Sequence, residues 1–229
     1  MENSLVLAID NSIDLLTLAL ASGERFIEER NIKESRAPSQ ILPEHVASIL
    51  GDNGCSVGDV TDIVVTLGPG SFTGIRVALS FCKGLSAATG VRVRGIPTLD
   101  ALAFPLSDRE GSLLCPLIDA KKGEVFYCLF RASQGKLSRL TGYGAVRPEG
   151  LPGIVRGPAV FFGTGTKVCA KKLEDIEDAV VLNGTYDSVS GRMLTEERWA
   201  GHGIFFHDAL KPVYGRRSEA EIKFNINID

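Results

Sequence analysis

The chain has 229 residues, 44% of them hydrophobic and 23% charged, which is enough apolar material for one large domain or two lobes of about 100 residues each. A net charge of -3 excludes the global basic field that advertises direct nucleic-acid binding. No stretch reaches the roughly 20 apolar residues of a membrane span. MENSLVLAIDNS lacks a basic leader region and meets Asp10 early, so neither a secretory leader nor a membrane anchor is expected.

Taken in chain order, Ser4–Ile9 and Leu15–Ser22 read as apolar strands, and Arg25–Ile32 as a strand with a polar face. The turns between them are short, so the three should pair antiparallel. After the loop SRAPSQ, residues Gln40–Leu50 carry Ile41, Leu42, Val46, Ile49 and Leu50 at helical spacing. Pro43 either sets the first turn of that helix or kinks it. Asp62–Leu67 is continuously apolar, as a central parallel strand would be. A Gly-rich stretch, a helix over Phe72–Ala88 and a strand over Val91–Ile96 follow. The order βββαβαβ is the ribonuclease-H-like layout, an α/β fold.

The pattern then repeats. LVLAIDNSIDLLTLALASGERFIEE, from Leu5, matches CPLIDAKKGEVFYCLFRASQGKLSRL, from Cys115, in its sequence of strand, polar turn, apolar strand, glycine turn and polar strand. Asp10 aligns with Asp119. Two ribonuclease-H-like lobes are therefore expected, 1–103 and 104–229, in the arrangement of the actin, sugar-kinase and heat-shock ATPases. The second lobe is less regular; its clearer pieces are a strand over Ala159–Gly163 and a helix near Gly191–Ala200. The five cysteines (Cys55, Cys82, Cys115, Cys128 and Cys169) form no CxxC pair and read as reduced structural thiols of a cytoplasmic protein.

GPGSFTGIR, residues 68–76, is the most distinctive stretch. It lacks the GxxxxGK[ST] frame of a Walker loop, has Thr73 where GxGxxG needs glycine, and gives Ser71 no GxSxG frame. Two readings stay open: a helix start with Ser71 capping the Gly74 amide, or an anion site at a helix N-terminus. In the helix it opens, Val77, Ala78, Phe81, Leu85 and Ala88 share one face, which is expected to pack on the sheet. The other face carries Phe72, Ile75, Leu79, Ser86 and Ala87, with Arg76 and Lys83 its only charges. So apolar a second face needs a cover. Together with Ile41, Leu42, His45, Val46 and Ile49 of the preceding helix, it is expected to form a helix-bundle interface.

LAIDNS, SRAPSQILP, LGPGSFTGIRVALSFCKGLSAATG, IPTLDALA, LIDAKKGEVFY and PVYGRRSEAE together resemble the TsaB (YeaZ) family, in order through residues 5–130 and again at 212–221. The resemblance implies an actin-like ATPase fold without catalysis of its own. It implies a scaffold that binds a TsaD-type transferase in the complex making threonylcarbamoyl-adenosine beside the anticodon of tRNAs reading codons that begin with A. A TsaE-type ATPase joins that complex, and tRNA is reached indirectly, through it. Alone, the chain is expected to form a homodimer through a helical bundle similar to the TsaD contact. No cofactor is required, and weak ATP or ADP binding is confined to the assembled complex. TsaD-like proteins hold a metal with an HxxxH pair; the corresponding stretch here, Gly95–Phe104, has no histidine. His202 and His207, five apart, do not replace it.

On the fold analogy, Asp10, Asn11 and Ser12 occupy the first phosphate-hairpin position and Asp119 the second, so Asp10, Ser12 and Asp119 are candidate nucleotide or Mg²⁺ contacts. Against that stand ordinary turns with side-chain-to-backbone bonds. They are also the residues that an independent ATPase or small-molecule kinase, the alternative function, would use. Gly163-Thr164-Gly165 reads as a turn or the remnant of an adenosine loop, and Lys121 and Lys122 as a solvated turn or phosphate contacts. The last nine residues alternate strictly, with Ile222, Phe224, Ile226 and Ile228 on one side, and are expected to dock as an edge strand.

Overall fold

The computed structural model describes residues 4–196, 205–206 and 210–216. In chain order the elements are β1 (Leu5–Asp10), β2 (Leu16–Ser22), β3 (Arg25–Ile32), α1 (Pro38–Asp52), β4 (Asp62–Thr66), α2 (Phe72–Thr89), β5 (Arg92–Ile96) and α3 (Thr98–Ala103). Then come β6 (Leu113–Lys121), β7 (Glu124–Tyr127), β8 (Phe130–Ser133), β9 (Lys136–Arg139), β10 (Gly144–Val146), α4 (Leu151–Ile154), β11 (Val160–Phe162), α5 (Thr166–Leu173), β12 (Val180–Val181), α6 (Gly191–Leu194) and β13 (Phe205–Phe206). No helix among the described residues is long and apolar enough to cross a membrane.

Two units emerge. The first takes its residues from Met1–Pro105 and Ser188–Pro212, the second from Leu106–Asp187 and Val213–Asp229. The chain thus returns to the first unit late, where a simple split would leave all of 104–229 in one lobe. The returning α6 is packed against β2 so closely that a Cβ on Gly191 would lie 2.7 Å from that of Ala19.

In the first unit the sheet order is β13-β5-β4-β1-β2-β3. β1, β2 and β3 pair antiparallel, as their short turns dictate. β1, β4 and β5 pair parallel, with α1 and α2 as the crossovers. β1 and β4 are buried along their whole length, which is why they read as unbroken apolar runs rather than alternating ones.

In the second unit the order is β10-β7-β6-β11-β12, with β8 pairing both β6 and β9. β6 pairs antiparallel with β7 and parallel with β11, as β1 does with β2 and β4. The pattern repeat seen in the sequence is therefore a repeat of strand connectivity.

Two helices depart from expectation. α1 starts at Pro38, two residues before the predicted Gln40, so Pro43 falls in its second turn. Pro43 has no amide to give, and the Ser39 carbonyl loses that helical bond. The phase of α2 is also different. Gly74, Ile75, Ala78, Leu79, Cys82 and Ser86 are its buried residues, whereas Val77, Phe81 and Leu85 are half-buried and Ala88 is exposed. α6 covers the first four residues of the predicted Gly191–Ala200 helix; 197–200 lie outside the described residues, as do His202, His207 and the strand predicted for the last nine residues.

Candidate functional site

Three of the distinctive sequence stretches meet at the C-terminal ends of β1 and β4. Ser71 ends the Gly-rich turn in an extended conformation, and its Oγ accepts the Gly74 amide at 3.2 Å, the expected helix cap. Its own amide donates to the Ser12 carbonyl at 2.7 Å. The Asn11 side-chain amide donates to the Gly74 carbonyl at 3.2 Å. From the other side, the Gly68 amide donates to Thr98 Oγ1 at 3.1 Å and its carbonyl accepts the Thr98 amide at 2.8 Å.

The glycines are there for proximity. A Cβ on Gly70 would stand 2.0 Å from the Ser12 carbonyl oxygen, and one on Gly74 1.9 Å from that of Asn11. The turn is thus clamped between the β1–β2 hairpin and the start of α3, and the clamp sets the direction and rotation of α2. Protein oxygens compete with an anion at this helix start: the Ser71 amide is bound by the Ser12 carbonyl and the Gly74 amide by Ser71 Oγ.

Asp10 lies beneath this clamp, 1% exposed. Its Oδ1 accepts from the Ser12 amide at 3.1 Å, Ser12 Oγ at 2.5 Å and Thr66 Oγ1 at 2.6 Å. Burial raises its pKa above the ordinary value of 3.8, and the three hydrogen bonds oppose that rise without cancelling it. With the folded-state pKa raised, the group's contribution to stability is full below 3.8 and is lost as pH rises through the folded value. Asp10→Asn keeps an Oδ1 acceptor and removes the titration. It is expected to melt at or above the parent at pH 7, with the difference shrinking on acidification; thermal melts from pH 4 to 8 check this, and a large loss at pH 7 would contradict it.

The second hairpin position is built differently. Lys121, Lys122 and Gly123 are all left-handed, at φ 61°, 55° and 76°, and close the β6–β7 turn. Asp119 Oδ1 accepts the Lys121 amide at 2.7 Å and Oδ2 meets Lys121 Nζ at 3.1 Å. The Asp119 amide donates to Thr164 Oγ1 at 3.1 Å, and the Gly165 amide to the Leu117 carbonyl at 2.9 Å. A Cβ on Gly163 would stand 2.3 Å from that same carbonyl oxygen. Each unit therefore rests a glycine turn between strand and helix on its first strand or just past it, at Asn11 and Ser12 after β1 in the first unit and at Leu117 midway along β6 in the second. Asp10, Ser12 and Asp119 all carry turn-forming bonds, and no two of the three act on a common space within one unit except Asp10 and Ser12.

The expected helix-bundle interface needs correction. Ile41, Val46, Ile49, Ile75 and Leu79 are buried within the first unit, Leu79 to 4% exposure, and cannot be offered to a partner; Leu42 is buried as well, beneath the groove described next. They are the core sides of α1 and α2. His45 is half-buried, its Nε2 2.7 Å from Glu34. Phe72, Arg76 and Lys83 do face outward. Phe72 is 45% exposed, with the Arg76 guanidinium stacked 3.7 Å above its ring.

Beside them runs an open groove of about 420 Å³ between the helices, lined by Ser39, Leu42, Pro43, Arg76, Val77, Ser80 and Phe81. Val77 and Phe81, assigned from the sequence to the sheet side, belong to this outer surface. Ser39, Pro43 and Ser80 were not anticipated. The signal that could have found them is Gly74, a helix-weakening residue in a first turn that marks a close backbone approach and hence the buried side.

The cysteines are free thiols, and burial pushes Cys82 up to about 12 and Cys169 to about 11, so both are protonated and inert. Among the described residues no three of His, Cys, Asp and Glu converge as a metal site would need.

The family model described as "TsaD: tRNA N6-adenosine threonylcarbamoyltransferase" matches residues 32–176. The tRNA threonylcarbamoyladenosine biosynthesis protein TsaB of Bacillus subtilis (strain 168) is 28% identical over 229 residues, covering 96% of this chain and 97% of its own. Matches to several other curated relatives span little more than half of those proteins. Among solved structures, a Pseudomonas aeruginosa protein described as uncharacterized with similarity to peptidase YEAZ superposes with a TM-score of 0.75 at 25% identity, over 93% of this chain and 100% of that one. A Bacteroides thetaiotaomicron protein with an actin-like ATPase fold and unknown function superposes with a TM-score of 0.50 at 11% identity, over 86% of this chain and 97% of that one, a likeness of fold alone. The two-sheet α/β architecture is thus actin-like.

Proposed function

Because this chain belongs to the TsaB (YeaZ) family, within the wider family described by the TsaD tRNA N6-adenosine threonylcarbamoyltransferase model, we propose that it is the scaffold subunit of the complex that makes N6-threonylcarbamoyl-adenosine beside the anticodon of tRNAs reading codons that begin with A. In this reading it binds a TsaD-type transferase through the outer face of α1 and α2. A TsaE-type ATPase joins the assembly, tRNA is reached through it, and the chain alone self-associates. It supplies no catalytic group and requires no cofactor.

The observation that carries the reading is the outer surface of α2. It presents Phe72, Val77 and Phe81 beside a groove, on a helix whose position is fixed by the Gly68–Gly74 clamp. An open groove with apolar walls beside an exposed aromatic is the kind of surface that a partner covers. Support for a non-catalytic role comes from the carboxylates: Asp10 is turned inward onto Ser12 and Thr66, and Asp119 is held by Lys121. The stretch 95–104 also lacks the histidines that a TsaD-like metal site would need.

Co-purification with the TsaD-type transferase of the same organism, followed by tRNA modification with and without this chain, tests the proposal. Absence of a complex, or modification indifferent to the chain, would overturn it. Phe72→Ala is expected to weaken the complex about 30-fold, as truncating a central aromatic anchor does, with an unchanged melting temperature. Titration calorimetry measures the first quantity and a thermal melt the second.

A further inference from the structure

The net charge of -3 conceals a segregation of charge across the sheet of the second unit. From Val125 to Pro148 the chain has no aspartate or glutamate and four cations, Arg131, Lys136, Arg139 and Arg147. From Leu173 to Asp187 it has five carboxylates, Glu174, Asp175, Glu177, Asp178 and Asp187, and no cation. The two runs flank opposite edges of one sheet, with β10 at one end of its order and β12 at the other. At the basic end the edge is long. β7 and β8 pair with β6 in a common register, Leu117 opposite Tyr127 and Leu114 opposite Phe130, so they act as one strand, and β10 and β9 lie along its outer side. Between β9 and β10 the chain stays attached: the Leu140 amide donates to the Leu129 carbonyl at 2.8 Å and the Leu129 amide to Thr141 Oγ1 at 3.0 Å. Among the described residues no strand pairs with the far side of β9 or β10.

The side chains of this edge suit RNA. Residues directly opposite one another share a face, so Arg131, opposite Ser138, and Lys136, opposite Ser133, project from one face as diagonal neighbours. Arg139, opposite Phe130, belongs to the other face, and its guanidinium stacks 4.4 Å from the centre of the Tyr143 ring. Leu140, next in the chain, is 49% exposed, and all four cations are exposed. Carboxylates mark only the ends of the edge. At the β8–β9 turn Glu110 accepts the Ser133 hydroxyl at 2.8 Å and the Gln134 amide at 2.7 Å, with Asp108 beside Gly135, and Glu149 follows Arg147. Guarding an edge against strand pairing needs charge of either sign. One sign along the whole rim, the opposite sign at the far edge, and a cation stacked on an aromatic are what a polyanion with planar bases exploits.

Resting on the tRNA-modifying role proposed above, we infer that this edge contacts RNA directly once the complex is assembled. Arg131 and Lys136 meet backbone phosphates on one face, Arg147 meets a further one, and an unstacked base lies on the Arg139–Tyr143 stack. The chain then grips the substrate as well as the transferase.

The test uses the full chain bound to the TsaD-type transferase of the same organism. A tRNA transcript reading a codon that begins with A is titrated by filter binding between about 50 and about 200 mM salt, where phosphate contacts weaken steeply. The triple variant R131Q/K136Q/R147Q should bind that tRNA at least about tenfold more weakly, with the slope of log K against log salt shallower by about 2. Its melting temperature, and its transferase complex followed by sedimentation, should match the parent. Tyr143→Leu should weaken tRNA binding about fivefold with the slope unchanged, because a stacked base releases no counterion. The variant K167Q/K171Q/K172Q on α5 removes as many charges away from the edge and should bind like the parent. If the edge variant keeps affinity and slope while its complex forms, the RNA contact falls and the docking role stands. Equal losses in the edge and α5 variants would assign the effect to net charge and overturn the inference as well. Loss of the transferase complex itself in the edge variant would assign the edge to an acidic protein surface instead. If the parent forms no complex, the docking role falls and this inference falls with it.

Discussion

Gly74→Ala should destabilise the protein by about 2–4 kcal/mol net, although helix propensity by itself predicts the opposite sign. Replacing glycine by alanine inside a helix ordinarily stabilises by about 1 kcal/mol. Here the new Cβ would stand 1.9 Å from the carbonyl oxygen of Asn11, an atom of the backbone that no rotamer change can remove. Relief requires the start of α2 to lift off the β1–β2 hairpin. Overpacking of this kind costs roughly 1–3 kcal/mol. The lift also strains two hydrogen bonds, Ser71 amide to Ser12 carbonyl and Asn11 side chain to Gly74 carbonyl, each contributing about 1 kcal/mol. For a chain of this size the melting temperature should fall on the order of 10 °C. A thermal melt that shows Gly74→Ala as stable as the parent would mean the clamp is not there.

Leu79→Glu is expected to have a still larger effect and to abolish cooperative folding of the first unit. From the sequence, Leu79 belongs to the partner surface, and a charge there would probe binding alone. In the structure it is 4% exposed and shares the buried side of α2 with Ile75, Ala78 and Cys82. Truncating a buried leucine costs about 2–5 kcal/mol before any charge is added. An ionised carboxylate among apolar neighbours adds a desolvation penalty that no partner offsets. The sum reaches the whole stability of a typical domain. Circular dichroism should show lost near-ultraviolet signal and no sharp melt. Lys83→Glu, four residues on but exposed, should melt within about 0.5 kcal/mol of the parent. Equal melts for the two variants would refute the rotation of α2 described here.

These two positions also show how much of the molecule its sequence carries. The β1–β2–β3 meander was legible because three apolar runs are separated by turns too short for anything but antiparallel pairing. The parallel strand β4 was legible because burial on both faces removes alternation. The connectivity repeat was legible from Ile-Asp followed by a polar turn, at Asp10 and at Asp119. The rotation of α2 was not. Apolar or small residues occupy every side of that helix, so a 3.6-residue period fits more than one phase. What selects the phase is the approach of Gly74 to Asn11, a contact 63 residues distant in sequence. The error propagated: with Leu79 turned outward, Val77 and Phe81 turned inward, and the groove beside Pro43 vanished from view. The return of 188–212 to the first unit was illegible for another reason, since its described elements, α6 and β13, are too short to carry periodicity.

The clamp at the start of α2 also makes that helix a lever. Its start is fixed by the hydrogen bonds to Ser12, Asn11 and Thr98, and its eighteen residues extend about 27 Å from that fulcrum to a far end tied by Ser86 Oγ, which donates to the Val91 carbonyl at 2.7 Å. A tilt of about 5° at the anchored end displaces the far end by about 2 Å over that length, more than a close-packed contact tolerates. Lys83, nearly two-thirds of the way along, moves much further than Phe72 beside the pivot. Small changes in the β1–β2 turn will therefore be read out mainly at the distal half of the outer face of α2, as lost register rather than as lost contact area.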